Sequence, residues 1–221
     1  MSPNARRAAL AAYLLLTLLC LLFALGALTP LIPTQQRSAY VDDHDNAYSG
    51  AYRAFDDEYI GRIEIVFFAG GSYQGGFEGH RFNGQGEFLG PEGWILTGSF
   101  IDGHLEGQGT YIGQGISYTG EFHNSLPEGQ GTLVSEAGWK YEGGFATGKV
   151  NGQGVFTAAD GSEYTGSFSN GFADGSGQVT STAWSYVGDL TMGFRNGSGT
   201  LSYDTGETYE ATWQAGYPLA P

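Results

Sequence analysis

The side chains of this sequence that could do chemistry are few and poorly grouped for it. A metal centre needs His, Cys or carboxylate ligands that converge on one point. His80, His104 and His123 fall near three successive predicted turns, but three, four and one residues beyond the nearest Phe of a recurring motif, so they do not align. Asp42, Asp43, His44, Asp45 and Asn46 superficially suggest a calcium loop, yet they lack the Gly and the terminal Glu of an EF-hand. Cys20 is the single cysteine, which excludes an intrachain disulfide. Leu19 stands before it where a lipoprotein acylation site has a small residue. No nucleophile lies in a recognisable arrangement with a base. The expectation is no catalytic residue, no metal, no cofactor and no enzyme activity.

Charge narrows the partners. The formal net charge is -14, and Arg6 and Arg7 precede the first apolar segment, so the rest carries 7 basic and 23 acidic residues. Such a body repels phosphate backbones and anionic headgroups, which argues against nucleic acid. The elements that carry these residues are more telling. There are 38 Gly, 14 Tyr and 14 Phe. Abundant Gly without a collagen triplet means disorder or repeats whose turns demand Gly, and the aromatics argue against disorder.

Residues 8–29 carry no charge, are dominated by Leu and Ala, and end before Pro30. As a helix they would span roughly 33 Å, enough to cross a hydrocarbon core. A cleaved signal peptide is the rival reading, with Ala24, Leu25 and Gly26 offering a small-x-small site, but the segment exceeds a typical h-region. Arg6 and Arg7 before it, against Arg37 and then Asp42, Asp43 and Asp45 after it, place the N-terminus in the cytoplasm. The remainder is then extracytoplasmic, periplasmic or extracellular, on either reading.

From residue 73 one pattern recurs: Tyr-x-Gly-x-Phe, a turn, then Gly-x-Gly-x-apolar. Its central glycines are Gly75, Gly98, Gly120, Gly143, Gly166 and Gly188, and nine residues after each a Gly-x-Gly begins at Gly84, Gly107, Gly129, Gly152, Gly175 and Gly197. Tyr48, Gly50 and Tyr52, then Gly61, Ile63 and Ile65, form a degenerate first copy; Tyr209, Ala211 and Trp213 form a final half. Degenerate ends suit capping repeats.

Each copy reads as a β-hairpin. Tyr, Gly and Phe two apart share one strand face, while Gln74, Thr97, Ser99, Thr119, Glu121, Thr165 and Ser167 point the other way. A Gly inside a strand costs roughly 0.5–1 kcal/mol against Ala, so its recurrence predicts an aromatic ring lying flat where a side chain would be. Asn83-Gly84, Asp102-Gly103, Asn151-Gly152, Asn170-Gly171, Asp174-Gly175 and Asn196-Gly197 are expected to supply the positive-φ turn positions.

The pattern resembles the MORN repeat (membrane occupation and recognition nexus), whose form is close to YxGxFxxGxxxGxGxF, and Gly148, Gly171 and Gly193 fall on its mid-turn glycine. The resemblance implies an all-β, elongated, single-layer antiparallel hairpin array. Seven hairpins and a half make about fifteen strands, roughly 70 Å across. Family members are mostly scaffolds and interaction modules. The expected organisation is a cytoplasmic N-terminus over 1–7, a transmembrane signal anchor over 8–29 and a linker over 30–47. A repeat domain follows over 48–217, made of a degenerate copy (48–70), six repeats (71–207) and a half-repeat (208–217).

Trp94, Trp139 and Trp184 stand four residues before a central Gly in every second repeat. Parity puts them on the face of the Tyr/Phe row. They can fill space across the sheet, or form an aromatic ladder. The candidate binding face is therefore Trp94, Trp139 and Trp184 with Tyr118, Tyr141, Tyr164, Tyr186, Phe100, Phe122, Phe145 and Phe168. The leading expectation is a membrane-anchored, extracytoplasmic scaffold for an unidentified protein partner, within a membrane complex, touching the bilayer through residues 8–29. A peptide- or glycan-binding protein using the aromatic face is the alternative.

Overall fold

The computed structural model describes residues 35–53 and 58–219. The cytoplasmic segment and the anchor expected over residues 1–29 lie outside the described residues. Among the described residues no helix is long and apolar enough to cross a membrane.

Seventeen strands follow one another: β1 (Gln35–Val41), β2 (Ala47–Arg53), β3 (Glu58–Val66), β4 (Ser72–Glu78), β5 (Arg81–Leu89), β6 (Ile95–Ile101), β7 (His104–Gly113), β8 (Ile116–His123), β9 (Leu126–Ser135), β10 (Lys140–Ala146), β11 (Lys149–Thr157), β12 (Glu163–Ser169), β13 (Phe172–Thr180), β14 (Trp184–Thr191), β15 (Phe194–Tyr203), β16 (Thr208–Gln214) and β17 (Tyr217–Pro218). Each pairs antiparallel with the next, giving one open meander. At ~4.8 Å per strand the array is roughly 75 Å across. This is the expected hairpin array.

Two strands lie beyond the fifteen expected. Part of the span read as a linker, 30–47, is β1, because the Asp42 loop folds the chain back onto β2. At the other end the turn at Ala215 and Gly216 starts β17, which pairs with β16 only through Trp213 and Gln214.

The turns within repeats are two-residue loops with both central φ positive, as at Asp102/Gly103, Asn170/Gly171 and Met192/Gly193. Their twist matches that of the flanking strands. Gly103 and Gly171 occupy turns as expected. Gly84, Gly152, Gly175 and Gly197 also have positive φ, but they sit inside strands, not in turns. The ladder explains why. Gly75 faces Gly86 and Phe77 faces Phe82, so the second strand carries two extra residues there and bulges at the glycine.

Register aligns the repeats into rows. Twelve glycines, from Gly75 to Gly199, face one another in an unbroken line across β4–β15. A Tyr ring lies across the glycine pair of five of the six hairpins: Tyr73 over Gly75 and Gly86, Tyr118 over Gly120 and Gly131, and likewise Tyr141, Tyr164 and Tyr186. The ring expected to lie flat on glycine is therefore the motif's own tyrosine. Its hydroxyl donates to a carbonyl three residues on, Gly76, Glu121, Gly144, Ser167 or Asp189, at 2.8–3.1 Å. Each Tyr meets the Phe row edge-on: Tyr118 touches Phe122 and Phe145, and Tyr141 touches Phe145 and Phe168, with centroids 4.8–5.3 Å apart. Single-layer sheet though it is, the array has a core made of interlocked rings.

Candidate functional site

The predicted face divides in two. Tyr118, Tyr141, Tyr164, Tyr186, Phe100, Phe122, Phe145 and Phe168 are all buried. They cover one another and the glycine row, so as a set they are core and not an open contact surface. Trp94, Trp139 and Trp184 are half-buried and lie on the same side of the sheet. Trp94 is held between Phe88 (5.2 Å, stacked) and Tyr111 (6.4 Å), and a methyl at Gly90 would run into its indole. Trp139 leans on Phe156 at 6.0 Å. The three indoles are four strands apart, roughly 19 Å.

What the face does offer is a hollow of about 430 Å³ over β6–β10, lined by Trp94, Leu96, Tyr111, Ile116, Tyr118 and Leu133 among others. One departure from the repeat borders it. Leu96 replaces the motif Tyr, and the fully buried Leu105 takes over the cover of Gly98 and Gly109. Pro127 lines it too, at the register position held by Phe82, Leu105, Val150, Ala173 and Arg195 in the other repeats. Tyr118 lines the hollow beside it. The signal was present at position 96, but only the packing of five successive strands places Leu96 and Pro127 around one hollow. Near the far end Arg195 occupies the same position as Pro127 and lies over Trp213 at 4.2 Å, a cation–π cap on the ring ladder.

The remaining polar candidates serve turns. The Asp42 carboxylate accepts from the His44 and Asn46 amides, the Asn46 side chain and the Tyr48 hydroxyl, at 2.9–3.1 Å. Desolvation works against its ionisation, but these bonds outweigh it and hold the carboxyl at about 2. His123 meets Glu106 at 3.1 Å, and Glu106 also accepts the Asn124 amide at 2.8 Å, tying neighbouring hairpins. His80 lies in a turn at φ 60, and His104 begins β7.

Burial pushes the hydroxyls of Tyr73 and Tyr118 up to about 12 and raises those of Tyr141, Tyr164 and Tyr186. A raised tyrosine favours the fold while protonated. That stability is whole below about pH 10, the ordinary tyrosine value, and is lost as pH climbs through the folded value. In an absorbance titration the ladder tyrosines are expected to ionise between roughly pH 10 and 12, together with the loss of β-structure. Ionisation of all 14 tyrosines in one step with the fold intact would contradict the packing described.

Among known protein families, the model described as MORN repeat matches residues 73–95, 97–114, 118–140, 141–163, 164–185 and 186–208. No curated protein matches the chain. Similar solved structures include the TCP domain of SAS-4 (dCPAP) of Drosophila melanogaster, solved in complex with a proline rich motif of Ana2 (dSTIL). It is 13% identical with a TM-score of 0.44, over 80% of this chain and 90% of that one. The G-box domain of the microcephaly protein CPAP is 10% identical with a TM-score of 0.42, over 81% of this chain and 100% of that one.

Proposed function

Because the chain belongs to the MORN-repeat family, we propose that it is a protein-interaction scaffold that docks a partner on the aromatic side of its sheet, displayed outside the cell membrane by an N-terminal anchor over residues 8–29. The hollow beside Trp94 carries this reading. It is apolar, large enough for an anchoring side chain of a partner, and rimmed by the half-buried Leu96, Tyr111 and Ile116. Nothing among the described residues points to catalysis, and the net charge of -14 favours neutral or basic protein surfaces over polyanions.

Ile116→Arg sets a charge at the rim of the hollow. It is expected to reduce recovery of the co-purifying partner at least tenfold from cells making the full chain. Val187→Arg, at an exposed position on the opposite side, is expected to leave recovery unchanged. Equal recovery with both variants would remove the hollow as the docking site. The topology has its own check: protease added to intact cells or spheroplasts is expected to digest the repeats, and their full survival would reverse the orientation.

A further inference from the structure

We propose that the outer edge of β16 is a strand-acceptor site. It takes an extended segment of a partner protein, antiparallel, with a small residue against Ala211, an apolar residue against Tyr209 and an uncharged or basic residue against Glu210. This deepens the scaffold reading above by adding a second contact of stated chemistry.

The argument starts from the repeat's own geometry. In each complete copy with a Tyr, the strand after the turn brings a Gly beneath the ring and sets an apolar residue beside it, as Gly199 and Leu201 of β15 do for Tyr186 of β14. Tyr186 is thereby 0% exposed. Tyr209 holds the same motif position in β16 and is 58% exposed. The strand that should cover it runs only two residues, since β17 meets Trp213 and Gln214 and the Leu219 amide donates once more, to the Thr212 carbonyl.

Alternation along a strand settles which backbone groups are left. Thr212 and Gln214 face β17, so Glu210 and Thr208 face the same way, while Ala211 and Tyr209 face β15. Among the described residues no strand pairs with the outward N–H and C=O of Thr208 and Glu210. An open hollow lined by Thr200, Tyr209, Glu210, Ala211, Thr212 and Leu219 lies at that edge. Unpaired N–H and C=O groups beside an exposed ring are what an added strand needs.

The edge also says which occupant suits it. Two copies joined edge to edge through β16 would bring their Glu210 carboxylates opposite or diagonal to one another, each on a body of formal charge -14. A foreign segment with a Gly-x-apolar core avoids that repulsion.

The probe is a synthetic peptide with the sequence of β15 (Phe194–Tyr203), whose Gly199, Thr200 and Leu201 meet the three requirements. Calorimetry with the full chain is expected to show one-site binding. Binding should weaken at least tenfold when the peptide carries Val for Gly199, and equally when the protein carries Glu210→Pro. That proline removes an outward N–H and leaves the ladder to β15 intact. Hydrogen exchange on the unaltered protein gives an independent readout, with protection of the Thr208 and Glu210 amides on adding peptide. Ile116→Arg should leave peptide binding unchanged, which separates failure here from failure of the hollow. No peptide binding, or equal binding by Glu210→Pro, overturns the proposal. So does self-association in sedimentation that Glu210→Pro abolishes, since the occupant would then be a second copy.

Discussion

Tyr118→Ala is expected to lower the unfolding free energy by about 3–5 kcal/mol, the range for emptying a large aromatic site in a core. Tyr118 is 2% exposed, closes edge-on against Phe122 and Phe145, and its hydroxyl bonds the Glu121 carbonyl at 2.9 Å. Its loss leaves that carbonyl without the hydroxyl, uncovers Gly120 and Gly131, and joins the vacated space to the hollow it already borders. Tyr118→Phe keeps the ring and should cost only about 1 kcal/mol, the net value of one hydrogen bond. The control is Tyr209→Ala, the same motif position on an exposed ring, expected within about 0.5 kcal/mol of the unaltered protein. Urea denaturation followed by circular dichroism measures all three. Equal costs at 118 and 209 would show that the interlocked rings are not what holds the array.

Gly120→Ala tests the other half of the same contact and is expected to cost about 3 kcal/mol through overpacking. A methyl there would sit 2.5 Å from the Tyr118 hydroxyl and 2.6 Å from both the Gly131 Cα and the Gln130 carbonyl. Two of those three neighbours are backbone, so no rotamer change relieves them, and removing the ring as well would rescue only part of the loss. Gly152→Ala makes the contrast. Its φ is +88, but nothing lies within 4 Å of the added carbon, leaving only a left-handed backbone penalty of about 1 kcal/mol. A thermal melt that ranks Gly152→Ala as the worse variant would mean that backbone conformation, not ring contact, keeps glycine in the row.

These two residues also mark how far the sequence could be read. Spacing placed Tyr118, Gly120 and Phe122 on one strand face, and their repetition established the hairpins and the row order. Spacing alone could also require a ring over each glycine, because strand glycines that recur without compensation would only destabilise. It assigned Asn83-Gly84 and Asn151-Gly152 to turns, since an Asn-Gly dipeptide carries the same positive-φ signature at a turn as at a bulge. Which of the two it occupies depends on the partner strand's length between matched residues, and that is a property of the pair.

The candidate face shows the same division. Parity put Trp94, Tyr118 and Phe122 on one side, but burial depends on neighbours a full repeat away. The Tyr and Phe members therefore became core, while the opening lies beside Leu96, where the motif Tyr is missing. Local periodicity by itself determined the hairpin repeat, its face and its acidic, Gly-rich character, because each of those depends on residues within a few positions. The covered rings and the hollow beside Trp94 were decided only by tertiary structure, because each is set by what the adjacent strand does or does not bring.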